Sequence, residues 1–293
     1  MQTIMVATDL STRSDRALRR ATLLARGTSA HLILVHVIDD DQPSPLVEVS
    51  QRETGILLAQ LARTVQDVDG VPCEAKIMLG EPFQGISDAA EELNADLLVM
   101  GPYRRQALRE VFMGTTVERT IRRCRRPILM ANAVPTPRYQ RILIATDFSE
   151  SSAHALRTAR NLGLLNGVEV LLLHVFDAPA RGVMFGAALP QNQIKDYIVE
   201  EERRAGLKMV EFIGQIGFKP HRHILKLADE PTGTIIRDCA RYERADLIVV
   251  GTRGQSSLET MIIGSVAEGV LKGSEVDVLA VPLPVSAGQE EQS

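Results

Sequence analysis

Residues 1–9 read MQTIMVATD, and residues 139–147 read YQRILIATD. The shared I-x-x-A-T-D, at Ile4–Asp9 and Ile142–Asp147, opens a long self-match at a constant offset of 138. Over residues 1–37 and 139–175, 15 of 37 pairs are identical, ending in His36-Val37 and His174-Val175. The match resumes at Glu81-Pro82 and Glu230-Pro231, then at A-D-L-[LI]-V-x-G, Ala95–Gly101 and Ala245–Gly251. A repeat of roughly 140 residues is too long for a solenoid unit, so it is read as a duplicated domain. The expected domains are 1–133 and 139–284, joined by Val134–Arg138, a stiff linker with two prolines.

Each copy alternates short apolar runs with amphipathic stretches. The runs expected as strands in the first copy are 3–7, 31–37, 73–78, 96–100 and 127–131, and in the second 141–145, 169–175, 221–226, 246–250 and 276–281. Apolar strands separated by helices predict an α/β fold, with a parallel sheet covered on both faces. Ligands of such sheets bind beyond the carboxyl ends of the strands. The second copy carries 11 extra residues near 177–190, whose glycines and prolines predict a loop.

Composition narrows the classes. The chain has 293 residues, 45% hydrophobic and 24% charged, with net charge −4 and no Trp. An acidic balance argues against a nucleic-acid partner. Absence of a long apolar run argues against membrane insertion. No signal peptide is visible, and three scattered cysteines suit a reducing compartment, so a cytoplasmic protein is expected. The arginines at 119, 122, 123, 125 and 126 are read as a solvated helix end.

The strongest chemical signal follows strand four of the second copy. Gly251-Thr-Arg-Gly254, nine residues, then Gly264-Ser265-Val266 forms G-x2-G-x9-G-[ST]. Glycines let backbone N–H groups approach phosphate oxygens, and a helix N-terminus adds donors and a positive dipole end. Arg253 adds charge. Asp147, acceptor-only when ionised, suits a ribose hydroxyl or an adenine amine. In the first copy Arg104 replaces the second glycine of Gly101-x2-x-x9-Gly114-Thr115, which predicts a weakened or vacant site.

These motifs resemble the universal stress protein family, of the tandem bacterial type. The resemblance covers nearly the whole chain. It implies two adenine-nucleotide α-hydrolase-like domains, each a five-stranded parallel sheet in order 3-2-1-4-5. Many members bind ATP, and members without the glycine motif do not. Carried over, the nucleotide contacts fall on Ala145, Thr146, Asp147, Val175, Val250, Gly251, Arg253, Gly254, Gly264, Ser265 and Val266. Ala267 stands where many members have Ser or Thr, which leaves ADP or AMP open beside ATP. A weak first-copy site would use Asp9, Val37, Gly101, Gly114 and Thr115. The implied function is a stress-response, nucleotide-dependent regulatory or binding module. No catalytic residue is assigned. A slow ATPase with Mg²⁺ or Mn²⁺ bridging phosphates, and a nucleotide-independent protein- or lipid-interaction protein, are the alternatives. Strand five is an exposed edge. The resemblance therefore implies an intrachain pseudo-dimer through it, which pairs further into a homodimer.

Overall fold

A computed structural model of the chain describes residues 1–102, 114–254 and 263–284. The first half runs β1 (Thr3–Ala7), α1 (Thr12–Thr28), β2 (His31–Ile38), α2 (Ser44–Thr64), β3 (Cys73–Leu79), α3 (Pro82–Glu92), β4 (Leu97–Met100), α4 (Thr116–Arg123) and β5 (Ile128–Met130). The second runs β6 (Arg141–Ala145), α5 (Glu150–Asn161), β7 (Glu169–Phe176), α6 (Arg181–Gly186), α7 (Gln191–Ile216), β8 (Arg222–Leu227), α8 (Thr232–Tyr242), β9 (Leu247–Gly251), α9 (Ser265–Gly273) and β10 (Asp277–Val281).

The ten strands form one sheet, β3-β2-β1-β4-β5-β10-β9-β6-β7-β8. Each half has the expected 3-2-1-4-5 order, with all neighbours inside a half parallel. The inner strands are buried on both faces, which explains their near-continuous apolar sequence, whereas the end strands β3 and β8 are partly exposed and carry charges. Ile4 and Val6 of β1 face one layer of the core, and Met5 and Ala7 face the other.

The halves join where β5 and β10 pair antiparallel, Leu129 opposite Leu279. Each strand's open edge is thus covered by the other. A buried polar knot locks this seam. Arg20 of α1 donates from Nε to Asp277 Oδ2 at 2.7 Å and from Nη1 to the Thr136 carbonyl at 2.8 Å. Tyr139 Oη donates to the same carboxylate oxygen at 2.8 Å, and the Ala133 N–H donates to Oδ1 at 3.0 Å. The Arg20 guanidinium also lies 4.4 Å from the Tyr139 ring centre. Burial, and then the Asp277 charge, push the Tyr139 hydroxyl well above its ordinary pKa.

Two expectations need correction. The insertion at 177–190 is not all loop, because Arg181–Gly186 forms a helical turn. Its start is held locally: Arg181 N–H donates to the Ala178 carbonyl, and Tyr197 Oη accepts the Ala180 N–H. Val183 and Phe185 of that turn are 75% and 54% exposed. The arginines of α4 and of the turn after it are not simply solvated. Arg119, Arg122, Arg123 and Arg126 pair with Glu81, Glu118, Asp88 and Glu91, tying α4 and its end largely to α3.

Candidate functional site

The site begins with the turn after β6. Thr146 is buried, and its Oγ1 accepts the Phe148 N–H at 3.0 Å and bonds Ser152 Oγ at 2.9 Å. Phe148 takes φ +65°, an uncommon left-handed position for a bulky residue. Asp147 Oδ1 accepts the Ser149 N–H at 3.1 Å and the Ser149 hydroxyl. Ser149 in turn caps α5. His174 Nδ1 lies 2.8 Å from the Thr146 carbonyl. Burial lowers the His174 pKa, against the opposing pull of that hydrogen bond and of Asp147. The imidazole is therefore a neutral strut of the turn.

The first half repeats this construction. Leu10 takes φ +59°, Thr8 Oγ1 accepts the Leu10 N–H at 3.0 Å, Asp9 holds Ser11, and His36 Nδ1 lies 2.8 Å from the Thr8 carbonyl. Asp9 additionally pairs with Arg13 at 3.3 Å. Burial works to raise the Asp9 pKa, but hydrogen bonds from Ser11, with the Arg13 charge, outweigh it and hold it below the ordinary value.

The glycines divide by purpose. A Cβ on Gly251 would lie 2.5 Å from Ser151 Oγ, and one on Gly101 would lie 2.6 Å from the Arg13 carbonyl oxygen. The motif's first glycine is thus demanded by close packing on the helix that follows the first strand of its half, α5 or α1, whatever it offers a ligand. A Cβ on Gly254 would come 3.3 Å from Asp147 Oδ2, so this glycine keeps space beside the carboxylate. Gly264 is different. Its φ is −63°, and a Cβ there would meet only an ordinary contact, 3.5 Å from the Thr252 carbonyl. Neither its conformation nor its protein neighbours require glycine.

A cavity of about 610 Å³ lies over these strand ends. Ala145, Thr146, Asp147, Val175, Val250, Gly251, Arg253, Gly254, Gly264, Ser265 and Val266 all line it. Sequence reasoning missed Ser152, Leu173, Asp177, Thr232 and Ile236, which also line it; Ala267 joins them. Thr232 had a usable signal, since it follows the repeated E-P pair. Asp177 had one too, since it aligns with Asp39 at the same offset of 138. Gly264 is the N-cap of α9 and, as glycine, offers no side chain of its own to cap the helix. The first-turn N–H groups of α9 therefore carry their polarity toward the cavity.

The first-half cavity measures about 390 Å³. Asp9, Val37, Gly101 and Thr115 line it, whereas Gly114 sits beside it. Here the helix start is closed. Gly114 has φ +79°, Thr115 becomes the N-cap, and its Oγ1 accepts the Glu118 N–H at 3.2 Å. Glu118 Oε2 accepts the Gly114 N–H at 3.1 Å, and Arg122 pairs with its other oxygen. This is a variant of the capping box, in which the carboxylate takes the N–H just before the cap residue. Arg104 lies outside the described residues.

A sequence model of the Universal stress protein family matches residues 1–132 and 138–282. The universal stress protein Mb2028c of Mycobacterium bovis is 24% identical over 292 residues, covering 94% of this chain and 95% of the relative. The universal stress protein MJ0577 of Methanocaldococcus jannaschii is 28% identical over 165 residues, 49% of this chain and 94% of the relative. A universal stress protein structure from Archaeoglobus fulgidus has the same fold. Its TM-score is 0.70 at 21% identity, covering 96% of this chain and 98% of that one.

Proposed function

Because the chain belongs to the universal stress protein family, we propose that it is a stress-response protein binding ATP, or else ADP or AMP, in its second half. It acts as a nucleotide-dependent regulatory or binding module, working in the cytoplasm and pairing into a homodimer. Since β5 and β10 already cover each other within the chain, that pairing uses another surface.

Asp147 accepts from ribose hydroxyls, and Val175 and Val250 supply apolar contact for the base. The N–H groups and hydroxyl at Ser265, with the N–H of Val266, receive phosphate oxygens, helped by the Arg253 charge. Ala267 adds no hydroxyl at the phosphate end. Mg²⁺ or Mn²⁺, arriving with the nucleotide, would neutralise phosphate charge. The residues in hand supply positioning rather than proton transfer, since the His174 Nδ1 is committed to the Thr146 carbonyl. Any hydrolysis is expected to be slow.

The observation that carries this reading is Gly264, a glycine that opens a helix into a cavity without a local conformational or packing need. The test is mass spectrometry of small molecules released when the purified protein is denatured, beside melts with Mg-ATP. An adenine nucleotide in the released fraction, or a melt raised by Mg-ATP, is the expected result. No nucleotide and an unmoved melt at millimolar Mg-ATP would refute it.

A further inference from the structure

The first-half cavity keeps one end of the second-half arrangement and closes the other. Its strand-one turn has the same serine hydrogen bonds, and Asp9 stands where Asp147 does, with Arg13 at 3.3 Å beside it. The Asp9 side chain is 59% exposed, and a carboxylate there accepts hydroxyl donors. Val35, Val37, Ile86 and Met100 give the cavity apolar walls suited to a flat ring.

At the helix end Thr115 Oγ1 takes the Glu118 N–H, and the Glu118 carboxylate, which holds the Gly114 N–H just before the cap, already sits at the positive end of the dipole. Glu118 is only 4% exposed and is paired with Arg122. A phosphate group seated there would meet a buried negative charge, or would have to break that charge from its partners. Either is unfavourable.

We propose that the first-half cavity is a separate site for an uncharged nucleoside, selective against the phosphorylated form. The nucleoside class rests on the adenine-nucleotide reading of the second half; the selectivity rests on the Thr115–Glu118 closure alone. One chain would thus hold two related ligands, distinguished by charge.

The experiment is calorimetric titration of the full-length Asp147→Ala, Gly264→Val double variant, whose second-half ribose and phosphate contacts are both removed, with adenosine and with Mg-ATP. The expected result is one equivalent of adenosine bound, with Mg-ATP at least about tenfold weaker. Adding Asp9→Ala should weaken adenosine by about tenfold or more. Glu118→Gln should narrow the gap between the two ligands. Hydrogen exchange gives a readout independent of that variant's folding, with adenosine slowing exchange in 7–9, 35–37 and 114–117 but not in 145–147. Absence of adenosine binding, protection confined to 145–147, or Mg-ATP binding as tightly as adenosine would overturn the proposal. Failure of the second-half reading shows separately, as wild-type protein that binds no Mg-ATP.

Discussion

Glu118 and Glu268 are the same residue at the same position of the repeat, four after a glycine, yet their helices begin differently. In the first half Gly114 turns left-handed, Thr115 caps α4, and Glu118 folds back as the third helical residue. In the second half Gly264 stays at φ −63° and is itself the cap, so Glu268 falls one position too late to close the box. A one-residue shift of the helix start decides whether a glutamate folds back over it. The two helix starts thus differ although the strand-one turns beneath them are built alike.

The largest effect is expected where the halves meet. Asp277→Ala leaves Arg20 buried without its carboxylate and should cost about 3–5 kcal/mol, read by urea unfolding. If ATP affinity survives once the seam is weakened, the asymmetry belongs to each half and not to their contact. Next is Gly264→Val, tolerated by the protein's own packing but projecting into the cavity. It should remove most of the stabilisation from Mg-ATP, about 2.7 kcal/mol at a hundredfold excess over Kd. Asp147→Ala should weaken ATP by about 1–3 kcal/mol by calorimetry, while Asp9→Ala leaves it unchanged.

Thr115→Ala should destabilise the protein by about 1 kcal/mol through the lost cap, whereas Ser265→Ala, at a helix with no side-chain cap, should barely move the unliganded melt. Equal losses would break the comparison.

The smallest effect is a pH dependence. Burial holds the folded His174 pKa below the unfolded value of about 6.5. Below that pH the unfolded chain binds more protons, so this contribution is full above about pH 6.5 and is lost as pH falls toward the folded pKa. His154 shifts the same way and needs its own control. Urea midpoints at about pH 7.5 and 5.5 should differ less in His174→Asn than in wild type.

Much of the fold was legible because the repeat at offset 138 and the continuous apolar strands are local signals. The glycine spacing similarly located the second cavity. The closure of the first was also in the sequence: Thr115-x-x-Glu118 is a capping-box pattern, overlooked beside the conspicuous Arg104. Other features had no local signal. The Arg20–Asp277 pair spans 257 positions and exists only once the two sheets join. The packing role of Gly251 appears only with Ser151 against it.

The central claim is that only the second half offers a helix start to phosphate. Calorimetric titration of the intact chain with Mg-ATP tests it most directly. The account predicts one equivalent per chain, abolished by Gly264→Val and retained in Asp9→Ala. Two equivalents of similar affinity, or one equivalent that survives Gly264→Val and disappears with Asp9→Ala, would contradict it.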